Sequence, residues 1–210
     1  MREPGQTEAT KKILDIAEQL AQTFGFNAFS YADIAVQLGV TKASLHYHFP
    51  SKAELGRALI VRYLVKFTRE LEAIDRRETG ALAKLRGYVG LFNQVMCNDR
   101  MCLCGMFAAE YATLPPAMQE ELRAFFDTNE RWLSRILHEG LGAGEFVLRE
   151  SPQERARVLL STLEGAMLIA RAYADDTRFQ AVAEHLLTAL MPTHPDPSPS
   201  LFNRKPGVLR

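Results

Sequence analysis

The chain has 210 residues, 47% of them hydrophobic and 24% charged, which suits one medium or two small folded domains and excludes a disordered composition. Its formal net charge of zero gives no global attraction to nucleic acid or to an anionic membrane. Three clustered cysteines do not make a secreted disulfide framework, and neither a signal peptide nor a membrane-length apolar run is evident, so we expect a soluble, cytoplasmic protein.

Four helices are predicted before residue 75. The first carries apolar residues at intervals of three and four and ends at Gly25. Ser30 is predicted to cap the second helix, which breaks at Gly39, and Thr41 to cap a short third helix. A capping box beginning at Ser51 opens a longer fourth helix. Two short helices joined at a glycine are typical of a helix-turn-helix.

Longer helices are predicted beyond the charged stretch at residues 75–78. Their strongest start signals are Pro115-Pro116, the capping box from Ser151 to Glu154, and Thr177. A short helix from Cys104 to Ala112 precedes Pro115. No segment alternates for long enough to be a convincing strand. The predicted fold class is therefore all-α, with about nine helices.

The segment VTKASLHYHFPSK, from Val40 to Lys52, carries many polar side chains on one short helix. His46 and His48 are two positions apart and point to different sides of a helix, which disfavours a shared metal ion. No nucleophile or paired carboxylate accompanies them, which disfavours acid–base catalysis. Binding of a polyanion explains the set better, although a solvated polar helix in an unrelated bundle is the alternative.

The second helix of a helix-turn-helix enters the DNA major groove with its first turn leading. Thr41, Lys42 and Ser44 would then reach base edges, while Leu45 and Phe49 hold the helix onto the other two. The remaining polar side chains would contact phosphates and neighbouring base edges: His46, Tyr47, His48 and Lys52. The first 70 residues hold nine Lys and Arg against seven Asp and Glu, so the basic patch is local.

The stretch FSYADIAVQLGVTKASLHYHFPSKAEL, from Phe29 to Leu55, resembles the DNA-binding signature of the TetR family of bacterial repressors. The resemblance implies that three N-terminal helices bind DNA, a fourth links them to an effector domain, and the last two form a dimeric four-helix bundle. By position, it implies base reading by Lys42, Ala43 and Ser44, a cap at Thr41, and phosphate contacts by Tyr47, His48 and Lys52. His46 stands where the family usually has tyrosine. We also place Ser30 and Tyr31 in the predicted DNA-binding set.

The predicted organisation follows from this resemblance. Residues 1–52 form the helix-turn-helix domain, the linking helix covers 51–74, and residues 75–191 form a helical ligand-binding and dimerisation domain. The proline-rich tail, residues 192–210, is predicted to be disordered.

The C-terminal region is rich in aromatic and methionine side chains. Helical spacing makes most of these core residues, but a family-like pocket would be lined by a subset, with a few polar groups to orient a ligand. The apolar candidates are Phe92, Met96, Met106, Phe107, Tyr111, Phe126, Trp132 and Met167, and the polar ones are Glu110, Glu164 and Arg171. An acid in such a place could instead be ion-paired at a dimer seam. We expect an apolar or aromatic effector with one polar handle, and neither a cofactor nor a metal.

The segment NDRMCLCGMFAAEYATLPP resembles the family subgroup that contains the electrophile- and bleach-responsive repressor of N-ethylmaleimide reductase. The resemblance places Cys102 at the position of the sensing thiol. Arg100 could lower the pKa of that thiol, and Cys104 could substitute by forming a disulfide with Cys97. The alternative is that these cysteines are small buried hydrophobic residues.

The expected function is that of a TetR-like repressor. It would bind a palindromic DNA operator as a homodimer and be released by a small effector, either an apolar or aromatic ligand or an electrophile or oxidant acting on Cys102. A cysteine-dependent enzyme and a purely structural helical dimer are the alternatives.

Overall fold

The computed structural model describes residues 7–192, and within that range the chain forms nine α-helices and one short 3-10 helix. The predicted all-α fold is confirmed. The tail beyond Pro192, predicted to be disordered, lies outside the described residues. The helices are α1 (Glu8–Phe24), α2 (Tyr31–Leu38), α3 (Lys42–His48), α4 (Lys52–Arg77), α5 (Ala81–Met96), α6 (Leu103–Ala109), a 3-10 turn (Tyr111–Thr113), α7 (Pro116–Gly142), α8 (Pro152–Ala172) and α9 (Thr177–Thr188).

The predicted helix starts are set by capping residues. Ser30, Ser51 and Ser151 each form a full capping box, in which the serine hydroxyl accepts from a backbone N–H and an acid three residues on accepts from the serine N–H. The Thr41 hydroxyl accepts from the Ser44 N–H, which caps α3. These starts are confirmed because a cap is a local hydrogen bond that the sequence specifies directly.

Two helix ends differ from the prediction. α4 continues to Arg77, beyond the predicted end at residue 74. α6 spans Leu103–Ala109 and stops short of Ala112, because the backbone leaves the helix at Glu110 and forms the 3-10 turn.

The helix α1 and the two short helices α2 and α3 form the N-terminal core. α1 packs on α2, and α2 on α3. Leu45 is 1% exposed and Phe49 is buried, so the prediction that these two residues hold α3 onto its neighbours is confirmed. Gly39 ends α2 with φ of 67°, a left-handed conformation that glycine adopts without steric cost and that turns the chain into α3.

The long helix α4 connects this core to the rest of the chain. It contacts α1 on one side and α5, α6 and α7 on the other. α5, α7, α8 and α9 pack together around buried leucines and aromatic rings. No helix within residues 7–192 is long and apolar enough to cross a membrane.

Candidate functional site

The first turn of α3 is open to solvent. Thr41, Lys42, Ala43 and Ser44 are all exposed, whereas Leu45 directly after them is buried. The structure therefore brings the predicted base-reading residues together on one outward face. Nothing in the described part of the chain covers this face, which is free to enter a groove of DNA.

The last turn of α3 carries aromatic and imidazole side chains. Tyr47 is 85% exposed, which is unusual for so large a ring, and it makes an edge contact with His48. His46 lies 4.6 Å from the Tyr31 ring, and its Nδ1 is 3.2 Å from the Pro50 carbonyl oxygen. His48 Nδ1 is 3.4 Å from the Thr10 hydroxyl. His46 and His48 are thus oriented by the fold, while Tyr47 projects freely.

A hollow of about 340 Å³ lies where α2 begins, next to α3. It is lined by Phe29, Ser30, Tyr31, Ala32, Lys42, His46 and Lys52. The N-terminus of a helix carries a partial positive charge, and two lysines add full charges to it. This arrangement suits a phosphate group of the DNA backbone.

Two members of the predicted DNA-binding set have partners within the chain. The Tyr31 hydroxyl donates to the Phe49 carbonyl at 2.7 Å, and burial raises the pKa of Tyr31 to about 12, so this hydroxyl serves the fold. The Lys52 ammonium donates to the Phe29 carbonyl and lies over the rings of Phe26 and Phe29. Burial also lowers the pKa of Lys52. Lys52 is therefore a half-buried charge at the base of the hollow.

Glu110 was predicted to orient a ligand, but the structure places its carboxylate against the turn between α1 and α2. Glu110 Oε2 accepts from the Phe26 N–H at 2.7 Å and from the Asn27 N–H at 3.2 Å. A Cβ at Gly25, where φ is 96°, would lie only 2.8 Å from Glu110 Oε1. Glycine at this position thus permits both the backbone turn and the close approach of the carboxylate.

Arg171 was also predicted to orient a ligand, and it too reaches the end of α1. From α8 its guanidinium donates to the carbonyls of Gln22, at 3.5 Å, and of Thr23. Both side chains thus pair with backbone groups of the N-terminal core, and a role for Glu110 and Arg171 in orienting a ligand stays a prediction.

Further contacts join the N-terminal core to the region around α6. The Met101 N–H donates to the Gln22 carbonyl at 3.1 Å, and the Asn27 amide donates to the Thr113 hydroxyl at 2.8 Å. The Phe26 ring lies 5.2 Å from Phe107 of α6. These contacts connect the region around α6, and α8, with the last turn of α1 and the turn that follows it.

We expect Glu110→Ala to lower the free energy of unfolding by about 1–3 kcal/mol, because it leaves two backbone N–H groups without an acceptor. Glu120→Ala removes the same charge from an exposed position on α7 and should change stability by less than about 0.5 kcal/mol. Urea denaturation of both variants measures the difference. Equal midpoints for the two would contradict a structural role for the Glu110 carboxylate.

Most of the predicted apolar ligand residues are packed in the core. Phe92, Met96, Phe107, Trp132 and Met167 are buried, and the space enclosed between α5, α7, α8 and α9 measures only about 10 Å³. Met106 is half-buried, and Tyr111 is exposed with its hydroxyl bonded to Arg123. A ligand pocket at this core is therefore closed in the structure, since it has room for no more than about one water molecule.

A larger cavity, of about 430 Å³, lies between α6, α7 and α8. It is lined by Gly105, Ala108, Ala109, Phe126, Glu130, Leu160, Ser161, Glu164, Gly165 and Leu168. Phe126 and Glu164 are thus the members of the predicted ligand-binding set that this cavity brings together. Sequence reasoning missed the glycine and alanine walls because these residues give no chemical signal of a site. It missed Glu130, Leu160, Ser161 and Leu168 because spacing within one helix does not show which residues of different helices meet.

A thiol, a phenol and a carboxyl group meet beside this cavity. Cys102 hydrogen-bonds with Glu164 and Tyr63. Burial is the main cause that raises the pKa of Cys102 well above its usual range, and the neighbouring Glu164 carboxylate raises it further. Burial also raises the pKa of Cys104 strongly. The expectation that Arg100 lowers the pKa of Cys102 is wrong, since enclosure and a neighbouring acid both disfavour the thiolate.

We expect N-ethylmaleimide to modify Cys97 much faster than Cys102 or Cys104 in the folded protein. Cys97 is exposed, whereas the other two thiols are buried, and burial raises their pKa values, which disfavours the thiolate form that reacts. Mass spectrometry of peptides after brief labelling measures the order, and labelling in urea provides the control in which all three react. Faster labelling of Cys102 than of Cys97 would contradict this expectation and support the sensing role predicted for Cys102.

An exposed recognition helix on a three-helix core, joined by a long helix to a larger helical bundle, defines a helix-turn-helix DNA-binding regulator. Residues 13–59 match the family described as bacterial regulatory proteins, tetR family, and residues 81–186 match that described as tetracyclin repressor-like, C-terminal domain. The chain belongs to the TetR family of transcriptional regulators.

Individual relatives agree with this assignment. The transcriptional regulator AcuR of Cereibacter sphaeroides is 28% identical over 151 residues, which cover 70% of this chain and 69% of AcuR. The crystal structure of a TetR family regulator from Agrobacterium tumefaciens is 32% identical, with a TM-score of 0.84, over 87% of this chain and 97% of that one.

The subgroup predicted from the cysteine segment is supported only at the level of the fold. The reduced form of Escherichia coli NemR has a TM-score of 0.74 but 21% identity, over 86% of this chain and 96% of that one. Membership of that subgroup therefore stays a prediction.

Proposed function

We propose that the protein is a repressor that binds a palindromic operator as a homodimer in the cytoplasm and is released from it by a small effector. In this proposal Lys42, Ala43 and Ser44 read bases, and Tyr47 and His48 contact phosphates. Ser30 and the N-terminus of α2, with Lys52 beneath, hold another phosphate. The single observation that carries the proposal is the solvent-exposed first turn of α3, fixed onto its domain by buried Leu45.

The proposed homodimer forms through α8 and α9. α8 exposes Val158 and Ile169 along one side, at 46% and 55%, and Tyr173 directly after the helix is 63% exposed. An isologous interface would bury this apolar stripe against its own copy.

The proposed release operates through the contacts between the effector region and the α1–α2 turn. Glu110, directly after α6, holds that turn, and Arg171 of α8 holds the last turn of α1. The cavity lies between α6, α7 and α8. A ligand that displaces α6 from α8 would move the turn and change the distance between the two recognition helices of a dimer. Buried thiols make a non-covalent ligand a better candidate than an electrophile.

Footprinting with genomic fragments tests the proposal. A dimer should protect a palindrome whose half-sites lie roughly 34–36 Å apart or a multiple of that distance. Binding should exceed that to unrelated DNA of equal length by about a thousand-fold or more. Equal affinity for all fragments would overturn it and favour the structural helical dimer.

A further inference from the structure

We infer that the cavity between α6, α7 and α8 binds a small organic cation, with its ammonium group against Glu164 and its apolar body against Phe126. This inference rests on the proposed effector-controlled function and names the chemical class of the effector.

The walls of the cavity leave room for an apolar body. Gly105, Ala108 and Ala109 on α6 face Ser161 and Gly165 on α8, and these small side chains keep the two helices from filling the space between them. Phe126, Leu160 and Leu168 supply apolar surface. A volume of about 430 Å³ is in the range of small-molecule sites.

The charge of the cavity selects a cation. Its two ionisable lining residues are Glu130 and Glu164, and none of its described lining residues is a lysine, arginine or histidine. Glu130 at the rim is already paired, since Arg157 Nε lies 3.3 Å from its Oε2. The negative charge of ionised Glu164 has no cation opposite it in the cavity.

Glu164 is also incompletely hydrogen-bonded. Cys102 is its hydrogen-bonding neighbour, and Oε1 is enclosed without a hydrogen-bond partner among the described residues. An enclosed carboxylate oxygen without a donor is costly, and an ammonium group supplies both a donor and the opposite charge. The broad rotation of a glutamate carboxyl about its last bond lets either oxygen turn to the cavity.

Burial raises the pKa of Glu164 to about 7, so the affinity for a cationic ligand should depend on pH. The ligand amine stays protonated near neutrality, so its affinity should rise as the pH increases through about 7, where Glu164 ionises, and then level off. The other titratable groups around Glu164 are held neutral, because burial raises their pKa values well above the usual range: Tyr63 on α4, Tyr88 on α5, and Cys102 and Cys104 at α6. Glu130 on α7 remains paired with Arg157.

Three probes of nearly equal size test the inference: phenethylamine, phenethyl alcohol and phenylacetate. Binding to the full-length protein would be followed by methyl NMR at millimolar concentrations, at which fragments of this size bind detectably. At about pH 8 the amine should bind about ten-fold more tightly than the alcohol, since a charge-assisted hydrogen bond replaces a neutral one. The carboxylate should bind least.

Glu164→Gln should reduce amine affinity about ten-fold and flatten its pH dependence, with little effect on the alcohol. Glu130→Gln, the same chemical change at the rim, should reduce amine affinity less than about three-fold. Ala108→Phe, at an exposed position, should fill the cavity and weaken both the amine and the alcohol. Equal binding of the amine to wild type and Glu164→Gln, or no amine binding to wild type, would overturn the inference.

Operator binding, measured on the same samples, separates the two proposals. A wild-type protein that binds its operator but not the amine refutes the cation site and leaves the proposed repressor function in place. Retained operator binding by Glu164→Gln also shows that this variant is folded.

Discussion

Ile169→Glu is expected to make the protein monomeric at micromolar concentration. Ile169 is 55% exposed on α8, so the substitution should leave the fold of one subunit intact. In an isologous dimer it would place a carboxylate on both sides of the same interface, and burying unpaired charge there costs several kcal/mol. Sedimentation or light scattering measures the mass directly.

The same variant should lose at least about a hundred-fold in operator affinity, because a monomer presents one recognition helix and each good base contact contributes about 1–3 kcal/mol. Val147→Glu is the matched control: Val147 is 58% exposed in the loop between α7 and α8 and is not part of the exposed apolar stripe of α8. It should remain dimeric and bind the operator normally. A dimeric Ile169→Glu would show that the subunits associate through another surface.

Lys42→Ala and Tyr47→Ala are expected to weaken operator binding in different ways. Lys42 lies in the exposed first turn of α3, so its loss should cost about 1–3 kcal/mol on the preferred operator and much less on operators altered at the contacted base. Tyr47 projects from the last turn, and its loss should weaken binding to all sequences alike, because phosphate contacts carry no sequence information.

Fluorescence anisotropy with a set of operators, each changed at one base pair, distinguishes the two patterns. Lys12→Ala provides the control for charge alone, since it removes an exposed lysine from α1 without touching α3. It should lower affinity slightly and uniformly. A uniform loss for Lys42→Ala as well would exclude Lys42 from base reading.

The sequence determined the helices and the helix-turn-helix by itself. Ser30, Thr41, Ser51 and Ser151 start helices through hydrogen bonds to residues only two or three positions away. A few consecutive residues are enough to specify such local interactions. The exposed first turn of α3 follows from the same pattern, since a short helix anchored by Leu45 leaves its other faces to solvent.

The tertiary structure alone decided which of the predicted polar residues borders a cavity. Glu110, Glu164 and Arg171 all border apolar stripes, and their spacing is equally compatible with a pocket or with a contact between domains. Glu110 pairs with Phe26, 84 positions away, and Arg171 with Thr23, 148 positions away, while Glu164 stays at the cavity. The burial that raises the pKa of Cys102 likewise depends on long-range packing. Helical periodicity fixes which face of a helix is buried but not which residue, many turns away in the chain, it will meet there.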